Sequence, residues 1–141
     1  MQHTYLGTSP GRSVPRVINP DELTDPSMYS YSHAILDDGR LHRSGQVGIN
    51  ADGELAGDDI GSQARRAYEN VAAILAAADA APDAVRKVTA YVVDPQSRYG
   101  DYHDVWLETF DDPYPCHTVV GVKQLATEEY LIEIEVEASV S

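Results

Sequence analysis

The chain of 141 residues has a single cysteine, Cys116. One thiol excludes an intrachain disulfide and any cysteine-built metal cage. Positive charge is scarce: ten Lys and Arg stand against 23 Asp and Glu, a formal net charge of −13. That balance argues against duplex DNA or RNA, whose phosphates need clustered cations, and against an anionic membrane surface. Long apolar runs are also missing. The longest, Val71 to Ala78, is ended by Asp79 and falls far short of the roughly 20 residues of a membrane span. The opening MQHTYLGTSPGRS lacks the apolar core of a signal peptide. A soluble, cytoplasmic protein with neither nucleic-acid nor membrane partners is expected. Phe and Trp occur once each, whereas Tyr occurs nine times, which leaves many phenol tips in need of polar partners.

Apolar residues make up 43% of the chain, enough for a single domain whose core needs no metal or disulfide staple. Residues 1–28 hold Pro10, Pro15, Pro20 and Pro26, four of the eight prolines, and read as an irregular N-terminal arm. Residues 29–141 read as the domain, with no internal repeat.

Regular patterning begins at Tyr31. Residues 31–36 and 41–49 read as hairpin strands around the turn Asp37-Asp38-Gly39. Ile60, Ala64, Ala67, Val71, Leu75 and Ala78 form one stripe at helical period, with Asp58 and Asp59 at its start. Residues 88–93 are a β-branched strand stopped by Asp94-Pro95. Tyr99, Tyr102, Trp106 and Phe110 mark a second helix. Two strands close the chain, and in the last Ile132, Ile134, Val136 and Ala138 alternate with Glu133, Glu135 and Glu137. Segregated strands and helices predict an α+β fold: a mixed sheet with two helices on one face. The glutamates then lie on the uncovered face, toward water, a cavity or a partner subunit.

Several residues are candidates for chemistry. The three glutamates are a solvated face unless one is desolvated, in which case its raised pKa suits proton transfer near neutral pH. A hairpin centred on Leu125 would set His117 opposite Glu133, an imidazole–carboxylate pair able to orient water or hold an anion. A one-residue slip in register would separate them. Gly45, in Ser44-Gly45-Gln46, marks a bulge or a close backbone approach, as packing or as a contact offered to a ligand. Cys116 reads as a small buried residue, and its strand neighbour His117 points the other way, which makes a poor thiol dyad. Asn50, Asp52 and Gly53 only partly match a calcium loop and read as a turn.

Tyr31-Ser32-His33-Ala34, Ser44-Gly45-Gln46-Val47-Gly48, the helix segment AYENVAAIL, Tyr114-Pro115-Cys116-His117-Thr118 and Ile132-Glu133-Ile134-Glu135, in that order and spacing, resemble the RidA/YjgF family. The resemblance covers roughly residues 17–140. It implies a chorismate-mutase-like fold and a homotrimer with clefts at the subunit seams. It also implies hydrolysis of small reactive enamines or imines to a keto acid and ammonia, with no metal or cofactor. By that resemblance Tyr31 is the cleft tyrosine, Gly45 the glycine whose backbone meets the ligand, and Glu133 the glutamate that holds the attacking water. Ser44 and Cys116 flank those positions as ligand-binding candidates.

One departure is large. The family's deaminases carry an arginine in a Pro-x-Arg-Ser/Thr pattern, and His117 stands in its place here. An arginine grips a carboxylate with two parallel hydrogen bonds, which a histidine cannot do. His103 likewise stands where an asparagine is common. Arg43, beside Ser44-Gly45, is a candidate replacement cation or else a surface or interface residue. Three functions follow: a cofactor-free hydrolase of an enamine, imine or related carbonyl compound, with catalytic Glu133, His117 and Tyr31; a non-catalytic ligand-binding or regulatory trimer; and a chorismate-type rearrangement, disfavoured by the shortage of cations.

Overall fold

The computed structural model describes residues 14–43 and 45–140; Ser44 and most of the expected arm's first half lie outside it. The sheet has six strands: β1 (Arg16–Ile18), β2 (Ala34–Asp37), β3 (Arg40–Arg43), β4 (Val85–Val93), β5 (Cys116–Val122) and β6 (Ile132–Ser139). Their order is β1-β2-β3-β6-β4-β5. β4 and β5 run parallel and the other neighbours run antiparallel. Two helices, α1 (Ile60–Ala77) and α2 (Pro95–Thr109), pack on the sheet and on each other.

The segment expected to be an irregular arm adds a strand to the sheet edge. Val17 pairs with Ile35, and Ile18 and Leu23 are buried. Arg16 donates to the Ala77 carbonyl at 3.2 Å, which supplies a partner to an orphan acceptor at the end of α1.

α1 starts where its cap is. Asp59 has extended backbone, and its carboxylate accepts from the Ser62 N–H at 2.9 Å. The predicted stripe is the buried one: Ile60, Ala64, Ala67, Val71, Leu75 and Ala78 all lie in the core. Tyr102 and Trp106 of α2 and Phe110 at its C-cap are buried as expected, but Tyr99 is exposed. α2 begins at Pro95, whose missing N–H costs nothing in a first helical turn.

Alternation divides the sheet. Val88, Ala90 and Val92 of β4 and Ile132, Ile134 and Val136 of β6 face the helices. Lys87, Thr89, Tyr91, Glu133, Glu135 and Glu137 point to the opposite face. Among the described residues no helix is long and apolar enough to cross a membrane.

The expected β5–β6 hairpin does not form. α2 carries the chain back so that β5 joins β4 in parallel, and residues 123–131 then return it past β4 to β6. A parallel pair needs such a crossover, and the crossover leaves no room for a tight β5–β6 turn. His117 therefore pairs with Val88 and Glu133 with Tyr91.

Candidate functional site

The predicted site residues fall into two groups on one chain. The first gathers where β3 breaks. Leu41 pairs with Ala138 and Gln46 with Ile134, so five steps on one strand meet four on the other. The extra residue is a bulge. It turns Gln46 into the core and lays Gly45 against β6. A Cβ built on Gly45 would sit 2.0 Å from Glu133 Oε2, so the carboxylate occupies the space a side chain would need. Glu133 is half-buried, and its pKa is raised, first by burial and then by the neighbouring Glu135.

Tyr31 lines the same small crevice as Gly45, Gln46 and Asn70. It is 40% exposed and stands edge-on to His33, with ring centroids 5.5 Å apart. His33 is buried between two partners: Nε2 donates to the Thr24 carbonyl at 2.7 Å, and Nδ1 accepts from Gln46 Nε2 at 3.2 Å. Tyr130 closes the cluster; its phenol is pushed up by burial and then by Tyr29, Glu129 and Tyr31.

The second group lies on the helix side of the edge strand β5. The His117 ring stacks on Trp106 at 3.6 Å and 3°. Its Nε2 meets the Tyr102 hydroxyl at 2.7 Å, and that hydroxyl meets Tyr68 Oη at 2.7 Å. A Tyr102 donating to Nε2 and accepting from Tyr68 satisfies both phenols and puts the imidazole proton on Nδ1. The His117 pKa is lowered to about 4, first by burial and then by Lys87 and His103, so the ring is neutral at pH 7. His103 stacks on Tyr99 nearby.

The two groups cannot meet within one chain. Val88 and Tyr91, the partners of His117 and Glu133, differ by three positions and so face opposite sides of the sheet. At ordinary strand spacing and rise the two Cα atoms are about 14 Å apart. Cys116 is exposed opposite Lys87, not buried as expected, because an edge strand has no neighbour on that side. Arg43 lines an open-face cavity of about 380 Å³. Ser44 lies outside the described residues. The segment 50–53 is a turn in which Asn50 Oδ1 accepts from the Asp52 and Glu54 N–H groups. Among the described residues no group of three or more His, Cys, Asp and Glu could hold a metal ion.

Comparison with known proteins matches this geometry to relatives. The family model described as Endoribonuclease L-PSP matches residues 23–140. The RutC family protein YjgH of Escherichia coli (strain K12) is 38% identical over 107 residues, 75% of this chain and 81% of that one. A 2-iminobutanoate/2-iminopropanoate deaminase of Dermatophagoides farinae is 29% identical over 115 residues, 79% of this chain and 87% of that one. The crystal structure of the Rid-family protein YyfA from Yersinia pestis superposes with a TM-score of 0.83 at 31% identity, covering 90% of this chain and all of that one.

The chain belongs to the RidA/YjgF family. Its mixed sheet with two helices is the chorismate-mutase-like fold of RidA/YjgF structures.

For a RidA/YjgF member, sequence reasoning missed the groups that hold the site in place. Asn70 Nδ2 donates to the Val47 and Ile49 carbonyls at 3.1 and 2.9 Å and pins the segment after Gly45 to α1. Gln63 is fully buried, donates to the Gly57 and Glu129 carbonyls and accepts from the Leu131 N–H at 2.8 Å. It thereby fixes the approach to Glu133. A polar residue on an otherwise apolar helical stripe was the available signal for both. For the Tyr68–Tyr102–His117 chain nothing in the spacing gave a sign.

Proposed function

We propose that the protein is a RidA-like hydrolase of a small enamine, imine or related carbonyl compound, working without a cofactor in a homotrimer. The observation that carries this reading is the Glu133 carboxylate, half-buried against Gly45 beside the Tyr31 crevice, with its proton held more tightly than on an ordinary glutamate. A carboxylate so placed can orient water and take its proton as the oxygen attacks an imine carbon. The C–N bond then breaks as the carbonyl forms: imine plus water gives ketone plus ammonia. Net charge is unchanged, and the proton taken by Glu133 goes on to the leaving nitrogen.

Tyr31 and the Gly45 backbone would hold the ligand. His117 would enter from a neighbouring copy, because its own chain keeps it away from Glu133. Being neutral, it would serve as a hydrogen-bond donor through Nδ1 and not as a fixed cation. The name of the Dermatophagoides farinae relative supports the reaction class.

The test is ammonia release from imino acids generated in place by an amino-acid oxidase. Glu133→Gln should lower the rate about 100-fold or more. Glu133→Gln and His117→Ala subunits, refolded together, should regain activity that neither has alone. No rate above buffer with any imino acid removes the hydrolase reading, and a monomer in solution removes the seam.

The neutral state of His117 also favours a second reading, a trimer that binds a small ligand without converting it. A ligand that raises the melting temperature and is recovered unchanged would decide for it.

A further inference from the structure

We infer that Tyr102 is a positioning residue that sets the specificity of the proposed site: its hydroxyl locks His117 with the ring proton on Nδ1. The site then offers its ligand one uncharged donor and takes an amide- or ester-type carbonyl compound in preference to an acid. The observation beneath this is a hydrogen-bond chain that is satisfied in only one direction. Tyr102 is fully buried and Tyr68 nearly so. Among the described residues Tyr68 Oη meets only the Tyr102 hydroxyl, at 2.7 Å, and that hydroxyl meets His117 Nε2, also at 2.7 Å.

With Tyr68 donating to Tyr102 and Tyr102 donating to Nε2, every hydroxyl hydrogen has an acceptor. Were the proton on Nε2, Tyr102 would accept it and turn its own hydrogen toward Tyr68. The Tyr68 hydrogen would then be stranded in the core. A buried O–H without an acceptor is costly enough to set the direction. The same geometry opposes a doubly protonated ring, which also needs Nε2 to donate. Trp106, stacked on the imidazole at 3.6 Å and 3°, holds the plane of the ring, and Tyr102 holds its edge. Burial, then Lys87 and His103, lower the ring's pKa to about 4, in agreement with a neutral imidazole. No described residue accepts from Nδ1, and Nδ1 is not among the buried atoms left without a partner, so its N–H is open to a ligand.

One neutral donor suits a neutral acceptor. A carboxylate that leaves water needs a cation or several donors, and beside Glu133 it would also meet Glu135 on the same face of β6. Lys87 is the cation whose charge His117 feels. It neighbours Val88, the strand partner of His117, and so lies across the sheet from the ring, where its ammonium donates to Thr118 Oγ1. An uncharged carbonyl oxygen loses less on leaving water and gains a hydrogen bond from the Nδ1 proton. The inference rests on the proposed function for His117 meeting a ligand beside Glu133; the tautomer and its dependence on Tyr102 stand without it.

The experiment compares pyruvamide with pyruvate, which share one skeleton and differ in charge, by calorimetric and thermal-shift titration. Nitrogen NMR of isotope-labelled histidine reads the tautomer at pH 7. In the wild type His117 should show a protonated Nδ1 and a bare, hydrogen-bonded Nε2, and pyruvamide should bind about tenfold or more tightly than pyruvate. A preference of that size leaves imino acids as slower substrates, so ammonia release still tests turnover. Tyr102→Phe keeps the ring that packs against Tyr68 and Tyr99 but removes the donor to Nε2. Its His117 signals should move to a mixture of tautomers, and most of the preference for the amide should vanish. Tyr68→Phe deletes a buried hydroxyl that does not touch the imidazole and should keep both, which separates positioning from mere loss of a buried phenol. If Tyr102→Phe does not fold, the wild-type tautomer and the ratio of the two affinities still decide. The inference is overturned by a proton on Nε2 in the wild type, by an unchanged His117 spectrum in Tyr102→Phe, by pyruvate binding as tightly as pyruvamide, or by no response to either. Failure of the hydrolase reading is seen separately: no ammonia from any imino acid, with pyruvamide still preferred and recovered unchanged, leaves the inference standing for a site that binds without turnover.

Discussion

The two faces of β6 differ in more than polarity. Toward the helices, Ile132 and Ile134 are fully buried, with Val136 and Ala138 nearly so. Polar groups that enter this layer are mostly answered, as Gln63 is by three backbone partners. On the other face Glu133 is desolvated against a glycine. One face is complete within a single chain; the other is complete only when something joins it. Asn70 Oδ1, a buried atom without a hydrogen-bond partner, lies on α1 in the helix layer and borders the Tyr31 crevice. Unsatisfied buried groups are rare enough in folded proteins that each marks a place where function is to be sought.

The comparison is broken most directly at neighbouring positions of the same strand. Ile134→Ala removes a fully buried side chain under both helices and should destabilise the protein by about 2–5 kcal/mol. Glu137→Ala, three positions on and exposed, should change stability by less than about 0.5 kcal/mol. Urea unfolding of both variants measures the contrast. Equal losses would mean that the open face is as firmly packed in the assembled protein as the covered one.

Two glycines sharpen it further. A Cβ on Gly48 would lie 2.5 Å from the Gln63 carbonyl oxygen and 2.6 Å from its Cα, so the backbone of α1 itself would have to move. Gly48→Ala should cost about 1–3 kcal/mol, as overpacking does. A Cβ on Gly45 meets only the end of the Glu133 side chain, which can swing aside. Gly45→Ala should therefore leave the fold nearly as stable but, on the proposed mechanism, lower ammonia release about 100-fold, through misplacement of the Glu133 carboxylate. A Gly45→Ala protein of full activity would remove Glu133 from the mechanism.

The covered face was the legible one. The α1 stripe, the alternation of β6 and the stop at Asp94-Pro95 follow from periodicity and local sterics, which act between residues close in the chain. The open face was legible only in outline. Alternation placed Glu133, Glu135 and Glu137 together, but nothing in it said that Glu133 would be desolvated by a bulge in β3. The pairing of His117 with Glu133 failed for a related reason: it assumed that consecutive strands are neighbours, whereas α2 sends β5 to the edge of the sheet. In the sequence Arg43 reads as a cleft cation or as a surface or interface residue, whereas the fold buries its guanidinium nitrogens, and no composition or period records that. Family resemblance supplied Tyr31, Gly45 and Glu133; register and burial supplied the reason the three belong together.

The smallest predicted effect separates the two half-sites by the sign of their response to pH. Glu133 holds its proton more tightly in the folded chain, because of burial and then Glu135. Its contribution to stability is full below the range where an unfolded glutamate titrates and is lost as pH rises through the raised value. His117 is shifted the other way, to about 4, by burial and then by Lys87 and His103. Its contribution is present above the ordinary histidine value of about 6.5 and is lost as pH falls from there toward 4. Relative to wild type, Glu133→Gln should therefore gain stability at pH 7, and the gain should fade on acidification. His117→Gln should lose stability at pH 7.5, and that loss should also shrink as pH falls, so the two differences approach zero from opposite sides. Melting temperatures of the three proteins across pH 4–8 measure both, with the remaining carboxylates cancelling in each difference. If the His117→Gln difference does not vary between pH 7.5 and 4, the imidazole is not held neutral by its aromatic cage, and the donor role assigned to Nδ1 fails with it.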